Sequence, residues 1–138
     1  MVCMCSDISA PDPAPSGLAL AGHRVLVVED EYFLADDIAR ALVGLGAETV
    51  GPVPTREQAL AHLEGGGRID ACVLDLNLRG EMAFPVADAL LARGVPFVFA
   101  TGYDQDVVPA GYAGVPRWEK PFDPDRLARA LPDLVRKG

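Results

Sequence analysis

The sequence predicts an α/β domain in which five parallel strands form one sheet, doubly wound by helices on both faces. Short apolar runs alternate with stretches whose apolar residues recur every three or four positions, and that alternation implies βαβ units. The runs are apolar throughout rather than at every second residue, as strands buried on both faces must be. At 138 residues the chain has room for one such domain, large enough to hold a core without disulfide or metal staples.

Residues 1–22 are rich in Pro, Ala, Ser, Asp and Gly, with Asp12-Pro13-Ala14-Pro15 at the middle, and show no periodicity. They are expected to form a flexible tail, with the folded domain occupying 23–138. Arg24-Val25-Leu26-Val27-Val28 is the first strand. Leu34, Ile38, Leu42 and Leu45 then share one helix face, and Gly46 can end that helix. Thr49 to Val53 is a weaker strand. Thr55 and Gln58 form a capping box for a short helix carrying Leu60 and Leu63, closed by Gly65-Gly66-Gly67. Ile69 to Leu74 is the third strand, Ala83 to Arg93 a helix ending at Gly94, Pro96 to Ala100 the fourth strand and Val115 to Trp118 the fifth. Asp123 with Pro124 caps a last helix bearing Leu127, Leu131 and Leu134. Pro132 cannot donate to the carbonyl of Ala128, so a kink or break is expected there.

Composition narrows the function. Half of the residues are hydrophobic (50%), which suits a globular protein. The net charge of −8, from 12 Lys and Arg against 20 Asp and Glu, opposes binding to nucleic acid or anionic membrane. The 3 cysteines make no disulfide framework. Cys3 and Cys5 have no nearby His or further Cys to complete a zinc site, and Cys72 falls in an apolar strand as a small core residue. There is no basic leader followed by a long apolar run, and no apolar stretch near the roughly 20 residues a membrane helix needs. A cytoplasmic protein without membrane insertion is expected.

In doubly wound sheets the ligand sits beyond the carboxyl ends of the strands. Here those ends carry chemistry: Glu29, Asp30 and Glu31 after the first strand, Asp75 after the third, Thr101 after the fourth and Lys120 after the fifth. With strand order 2-1-3-4-5, Asp30 and Asp75 share one cleft with Glu29 at its edge. Like charges about 4 Å apart repel by about 4 kcal/mol at an effective dielectric near 20. Such a cluster invites a divalent cation, and oxygen ligands with open water positions suit Mg²⁺. Thr101 adds a hydroxyl and Lys120 an ammonium. A metal, a hydroxyl and a cation around one carboxylate are what phosphoryl transfer to that carboxylate requires, with Asp75 as nucleophile and backbone N–H groups after Asp75 and at Gly102 as further donors. Taken singly each residue is unremarkable; four suitable residue types at four separate strand ends are specific.

Val25-Leu26-Val27-Val28-Glu29-Asp30-Glu31, Val73-Leu74-Asp75-Leu76-Asn77-Leu78, Ala100-Thr101-Gly102 and Lys120-Pro121-Phe122 resemble the receiver domains of bacterial two-component response regulators. The resemblance covers His23 to the C-terminus and implies a flavodoxin-like fold, for which the 2-1-3-4-5 order is a known example. It implies that Asp75 accepts phosphate from the histidine of a kinase or a histidine phosphotransferase. It also implies that Asp30, Asp75 and the main-chain carbonyl of Asn77 hold Mg²⁺, with Glu29, which stands where many relatives have Asp, acting through water. A cis Lys120–Pro121 bond belongs to the same resemblance. Pro96-Phe97-Val98-Phe99-Ala100-Thr101-Gly102-Tyr103 further resembles the "FAT GUY" single-domain regulators, a subgroup linked to stress-response phosphorelays. Two departures from ordinary receivers agree with it. Arg117 replaces the usual aromatic switch three residues before the lysine, so Tyr103 becomes the substitute partner of Thr101. Helix 4, due between Asp104 and Pro116, contains Pro109, Gly111 and Gly114 and is expected to be short, irregular or absent.

Three rivals are weaker. A haloacid-dehalogenase-like, Mg²⁺-dependent phosphatase needs a general acid two residues after its nucleophile, where Asn77 stands. A flavodoxin-like cofactor binder needs a phosphate-cradling loop where Glu29-Asp30-Glu31 would repel phosphate. A DNA-binding regulator needs an output domain, and none is expected after Gly138. The expectation is a stand-alone regulator, a monomer or weak dimer, that catalyses only its own phosphorylation and dephosphorylation and signals by protein contact or relay to another histidine.

Overall fold

The computed structural model describes residues 19–102 and 108–137. In chain order the elements are β1 (Arg24–Val28), α1 (Tyr32–Gly44), β2 (Glu48–Val53), α2 (Arg56–Glu64), β3 (Ala71–Asp75), a small hairpin of β4 (Asn77–Leu78) and β5 (Glu81–Met82), α3 (Phe84–Ala92), β6 (Phe97–Thr101), a 3₁₀ turn (Ala110–Tyr112), β7 (Arg117–Glu119) and α4 (Pro124–Lys137). The main sheet runs β2-β1-β3-β6-β7 with every pairing parallel, the order expected from the sequence. The fold is flavodoxin-like.

Strand alternation divides the core between the two faces of the sheet. Leu26 and Val28 of β1 join Cys72 and Leu74 of β3 in a cluster closed by Ala59 and Leu63 of α2 and Val86 and Leu90 of α3. Val25 and Val27 join Ala71, Val73 and Val98 in a second cluster closed by Ile38 and Leu42 of α1 and Leu127 and Leu131 of α4. Both faces are therefore covered, which is why the strands read as continuous apolar runs.

Local chemistry explains several boundaries. Thr55 Oγ1 accepts the Gln58 N–H (3.2 Å) and caps α2, while its own hydroxyl meets Gln58 Oε1 at 3.3 Å. Half of the capping box is thus made as expected, and the glutamine turns to the cap hydroxyl. Gly51 has φ +88°, and a Cβ there would lie 2.8 Å from Val53 N and 3.0 Å from Val27 O. Only glycine fits this close approach, where the β1–β2 register shifts between Leu26 and Val28.

Three expectations need correction. Packing does not begin at His23: Leu20 is fully buried among α1 and α4 residues, and its N–H donates to Leu45 O (2.8 Å). A single apolar side chain in a Gly- and Ala-rich stretch carries no periodicity by which to recognise it. Residues 1–18, with Cys3 and Cys5, lie outside the described residues. Of the kink or break expected at Pro132, the break does not occur, since α4 is helical on both sides of it. Leu127, Ala128 and Leu131 are all buried against α1 and the sheet, and that burial outweighs the loss of one helical hydrogen bond. The ladder also carries β3 to Asp75 and β6 to Thr101, while the last strand starts at Arg117 rather than Val115.

The expectation for helix 4 concerns residues 104–116, of which 108–116 are described. There the only helical turn is the 3₁₀ turn at Ala110–Tyr112. Tyr112 stacks on Phe84 (centroids 5.1 Å apart), meets the edge of Phe99 (6.0 Å) and donates its hydroxyl to Asp88. Its ring occupies the space over α3 and β6 beside that turn. Among the described residues no helix is long and apolar enough to cross a membrane.

Candidate functional site

The carboxyl ends of β1, β3, β6 and β7 meet at one edge of the sheet. Glu29 follows β1 and takes its N–H to Val53 O (3.0 Å), while its side chain turns into the sheet, 3% exposed. Asp75 ends β3 and is also 3% exposed. Asp30 is half-buried. One oxygen from each of these three carboxylates lies within 4.8 Å of the others. The expected grouping of Glu29, Asp30 and Asp75 is therefore present.

Lys120 reaches into this group from the end of β7. Its Nζ donates to Glu31 Oε2 (2.8 Å), Glu29 Oε2 (3.2 Å) and Asp75 Oδ2 (3.2 Å), using all three ammonium protons. Its backbone N–H donates to Thr101 O (2.7 Å), which ties the lysine to the end of β6, and the Lys120–Pro121 bond is cis. Thr101 is buried at that strand end. Asp30, Glu31, Asp75, Asn77, Arg79, Gly80, Gly102 and Lys120 line the resulting open cleft of about 430 Å³.

The charges are unevenly compensated. Burial, then the neighbouring Glu29 carboxylate, pushes the Asp75 carboxyl up to about 8, against the pull of Lys120 and the Asn77 N–H. Burial would lower Lys120, but Glu31, Asp75 and Glu29 together raise it, so the ammonium is firmly protonated. Glu29 Oε2 accepts both Lys120 and the Glu31 N–H (3.0 Å), whereas buried Oε1 has no partner among the described residues. An orphaned buried carboxylate oxygen beside two further carboxylates fits a hard divalent cation with oxygen ligands.

The hairpin β4–β5 is absent from the sequence reading, yet it builds one wall of the cleft. Arg79 and Gly80 form its two-residue turn with φ +54° and +85°, the positive pair a tight hairpin of this kind needs. The Arg79 N–H donates to Asp30 Oδ2 (2.9 Å), the Asn77 N–H to Asp75 Oδ1 (3.1 Å) and the Gly80 N–H to Asn77 Oδ1 (2.9 Å). Arg79-Gly80 between short apolar segments was the available signal. Glu31, named in the sequence only as one of three acids after the first strand, makes the shortest contact to Lys120. Arg117 lies exposed on β7. Tyr103 lies outside the described residues.

A doubly wound parallel sheet with a buried aspartate, a carboxylate cluster and a lysine at its carboxyl edge can hold a divalent cation against one carboxylate. The comparisons agree. No family model matches the chain. It is similar to SdrG from Sphingomonas melonis Fr1, 47% identical with a TM-score of 0.71, over 85% of this chain and 98% of that one. The BeF3-activated conformation of SdrG, from Pseudomonas melonis Fr1, is 44% identical with a TM-score of 0.67, over 88% and 99% of the two chains. The receiver domain of the sensor histidine kinase PA1611 from Pseudomonas aeruginosa PAO1, which has magnesium coordinated in its active-site cleft, is 27% identical with a TM-score of 0.71, over 84% and 99%. The transcriptional regulatory protein TcrA of Mycobacterium tuberculosis is 36% identical over 124 residues, 86% of this chain and 48% of TcrA. The chain spans about half the length of the curated relatives it matches. It belongs to the response regulator receiver family.

Proposed function

We propose that this receiver accepts a phosphoryl group on Asp75 from a phosphohistidine of a kinase or histidine phosphotransferase, and that the phosphorylated form is read by protein contact. The observation that carries this is a buried Asp75 whose Oδ2 lies 3.2 Å from Lys120 Nζ inside a carboxylate cluster. Asp75 attacks phosphorus; an O–P bond forms, the N–P bond breaks, and its electron pair stays on the imidazole nitrogen, which takes up a proton. Asp30, Asp75, the Asn77 carbonyl and, through water, Glu29 are the residues that would hold Mg²⁺. The ion supplies charge neutralisation for the transferred oxygens. Lys120 exchanges its carboxylate contacts for a phosphoryl oxygen, and Thr101 takes another.

Two features support a protein partner. Tyr32 and Phe33 stand 76% and 81% exposed at the start of α1, close in sequence to Asp30, as an edge-to-face pair. The net charge of −8 disfavours nucleic acid. The near-complete coverage of the SdrG chain supports a stand-alone regulator, and the stretch from Pro96 to Tyr103 supports a stress-response phosphorelay with Thr101 and Tyr103 as switch pair. Acetyl phosphate with Mg²⁺, followed by intact mass, tests the chemistry. A gain of about 80 Da that is lost in Asp75→Asn is expected; no gain in the wild type refutes the reading.

A further inference from the structure

We propose that Arg56 is a positioning residue for the cation site: it clamps the β4–β5 hairpin and thereby sets the place of the Asn77 carbonyl. The inference rests on the reading that this carbonyl is a Mg²⁺ ligand. The hairpin is two residues per strand and pairs only with itself, outside the main sheet, so its own ladder cannot hold it rigid. On its inner side it is held by the site: Asp75 and Asp30 accept the N–H groups of Asn77 and Arg79, while the Gly80 N–H closes the turn on Asn77 Oδ1.

Burial of Leu78 in the core, with Met82 packed against it, holds the hairpin's apolar side, and on its outer side Arg56 adds a polar anchor. The guanidinium grips one strand twice, with Nη1 donating to Met82 O (3.2 Å) and Nε paired with Glu81 Oε1 (3.2 Å). Met82 stands directly across the hairpin from Asn77 in register. Fixing the Met82 carbonyl thus fixes the residue opposite, one backbone pair from the cation. The arginine is itself well held, since α2 is capped by Thr55 and buries Ala59 and Leu63 in the core. Its position is otherwise unfavourable, a cation in the first turn of a helix at the positive end of the backbone dipole. The forked contact explains its placement there. Mg²⁺ demands near-ideal octahedral geometry while Ca²⁺ tolerates irregular cages, so a loosened hairpin penalises Mg²⁺ more.

Calorimetric titration of Mg²⁺ and of Ca²⁺ into the full chain, with folding checked by circular dichroism, separates the possibilities. For Arg56→Ala we expect Mg²⁺ affinity to fall about tenfold, the lower end for groups that support metal ligands, and Ca²⁺ affinity to fall less. Arg56→Lys, which keeps one contact, should lie between, and the amide shifts of Asn77 and Gly80 should move in both variants. Removal of a positive charge alone would instead tighten both cations. Unchanged or tighter Mg²⁺ binding, or an equal loss for both ions, overturns the clamp. A wild type that takes up no Mg²⁺ overturns the parent reading of the site instead.

Discussion

Asp75 and Lys120 hold opposite ends of one electrostatic problem. Three carboxylates (Glu29, Glu31 and Asp75) surround one ammonium with Asp30 beside them, and Asp75 is pushed up to about 8 by burial and by Glu29. That value lies above the ordinary carboxylate range, so the favourable contribution of neutral Asp75 is complete below pH about 4. It is lost as pH rises through about 8. In EDTA, Asp75→Asn should therefore be more stable than the wild type, by on the order of 2 kcal/mol at pH 9 and by little at pH 4. Urea unfolding at the two pH values measures it. For the same reason Mg²⁺ affinity should rise between pH 6 and 9, because binding requires the ionised carboxylate. Lys120→Met removes a competing cation and also the group that meets the phosphoryl oxygen. It should bind Mg²⁺ more tightly yet be phosphorylated by acetyl phosphate roughly 100-fold more slowly, as initial rates will show. Asp30, Asp75, Thr101 and Lys120 were legible in the sequence because each stands at or just past the end of a strand read from it. Glu31 was not, since nothing in a three-acid loop tells which carboxylate turns to the lysine.

The elements show where local signals prevail and where they yield. The five strands and the helices on both faces follow from runs long enough to display a period. The β4–β5 hairpin, two residues per strand, has no period to display, and with it went the contacts of Arg56, Asn77 and Arg79. Proline does not end α4, where burial of Leu127, Ala128 and Leu131 decides the helix and propensity does not. Glycine carries more weight at position 51, where the φ of +88° and the 2.8 Å approach to Val53 N leave no space for a side chain. Gly51→Ala should destabilise the fold by about 2 kcal/mol or more, measured by chemical denaturation, whereas a Cβ at Gly111, which meets nothing within 4 Å, should have little effect.

At the scale of the whole molecule, two apolar layers hold the sheet while its carboxyl edge is left electrostatically unsatisfied, so stability and function pull in opposite directions at one place. Leu20 belongs to the stabilising side: Leu20→Ala should cost about 2–4 kcal/mol in urea unfolding, which a residue in a loose tail would not. Cation binding belongs to the other. Mg²⁺ at 100 times its dissociation constant should stabilise the wild type by about 2.7 kcal/mol, and that gain should vanish in Asp30→Asn. All of this converges on the statement that the Asp75 carboxylate, held between Lys120 and the Glu29–Asp30 pair, forms an acyl phosphate. Borohydride reduction of the phosphorylated chain, which converts an aspartyl phosphate to homoserine, followed by peptide mass mapping, tests it most directly. The account requires homoserine at position 75 when Mg²⁺ is present and none when it is chelated. Homoserine at position 30, or none at 75 despite bound Mg²⁺, would contradict it.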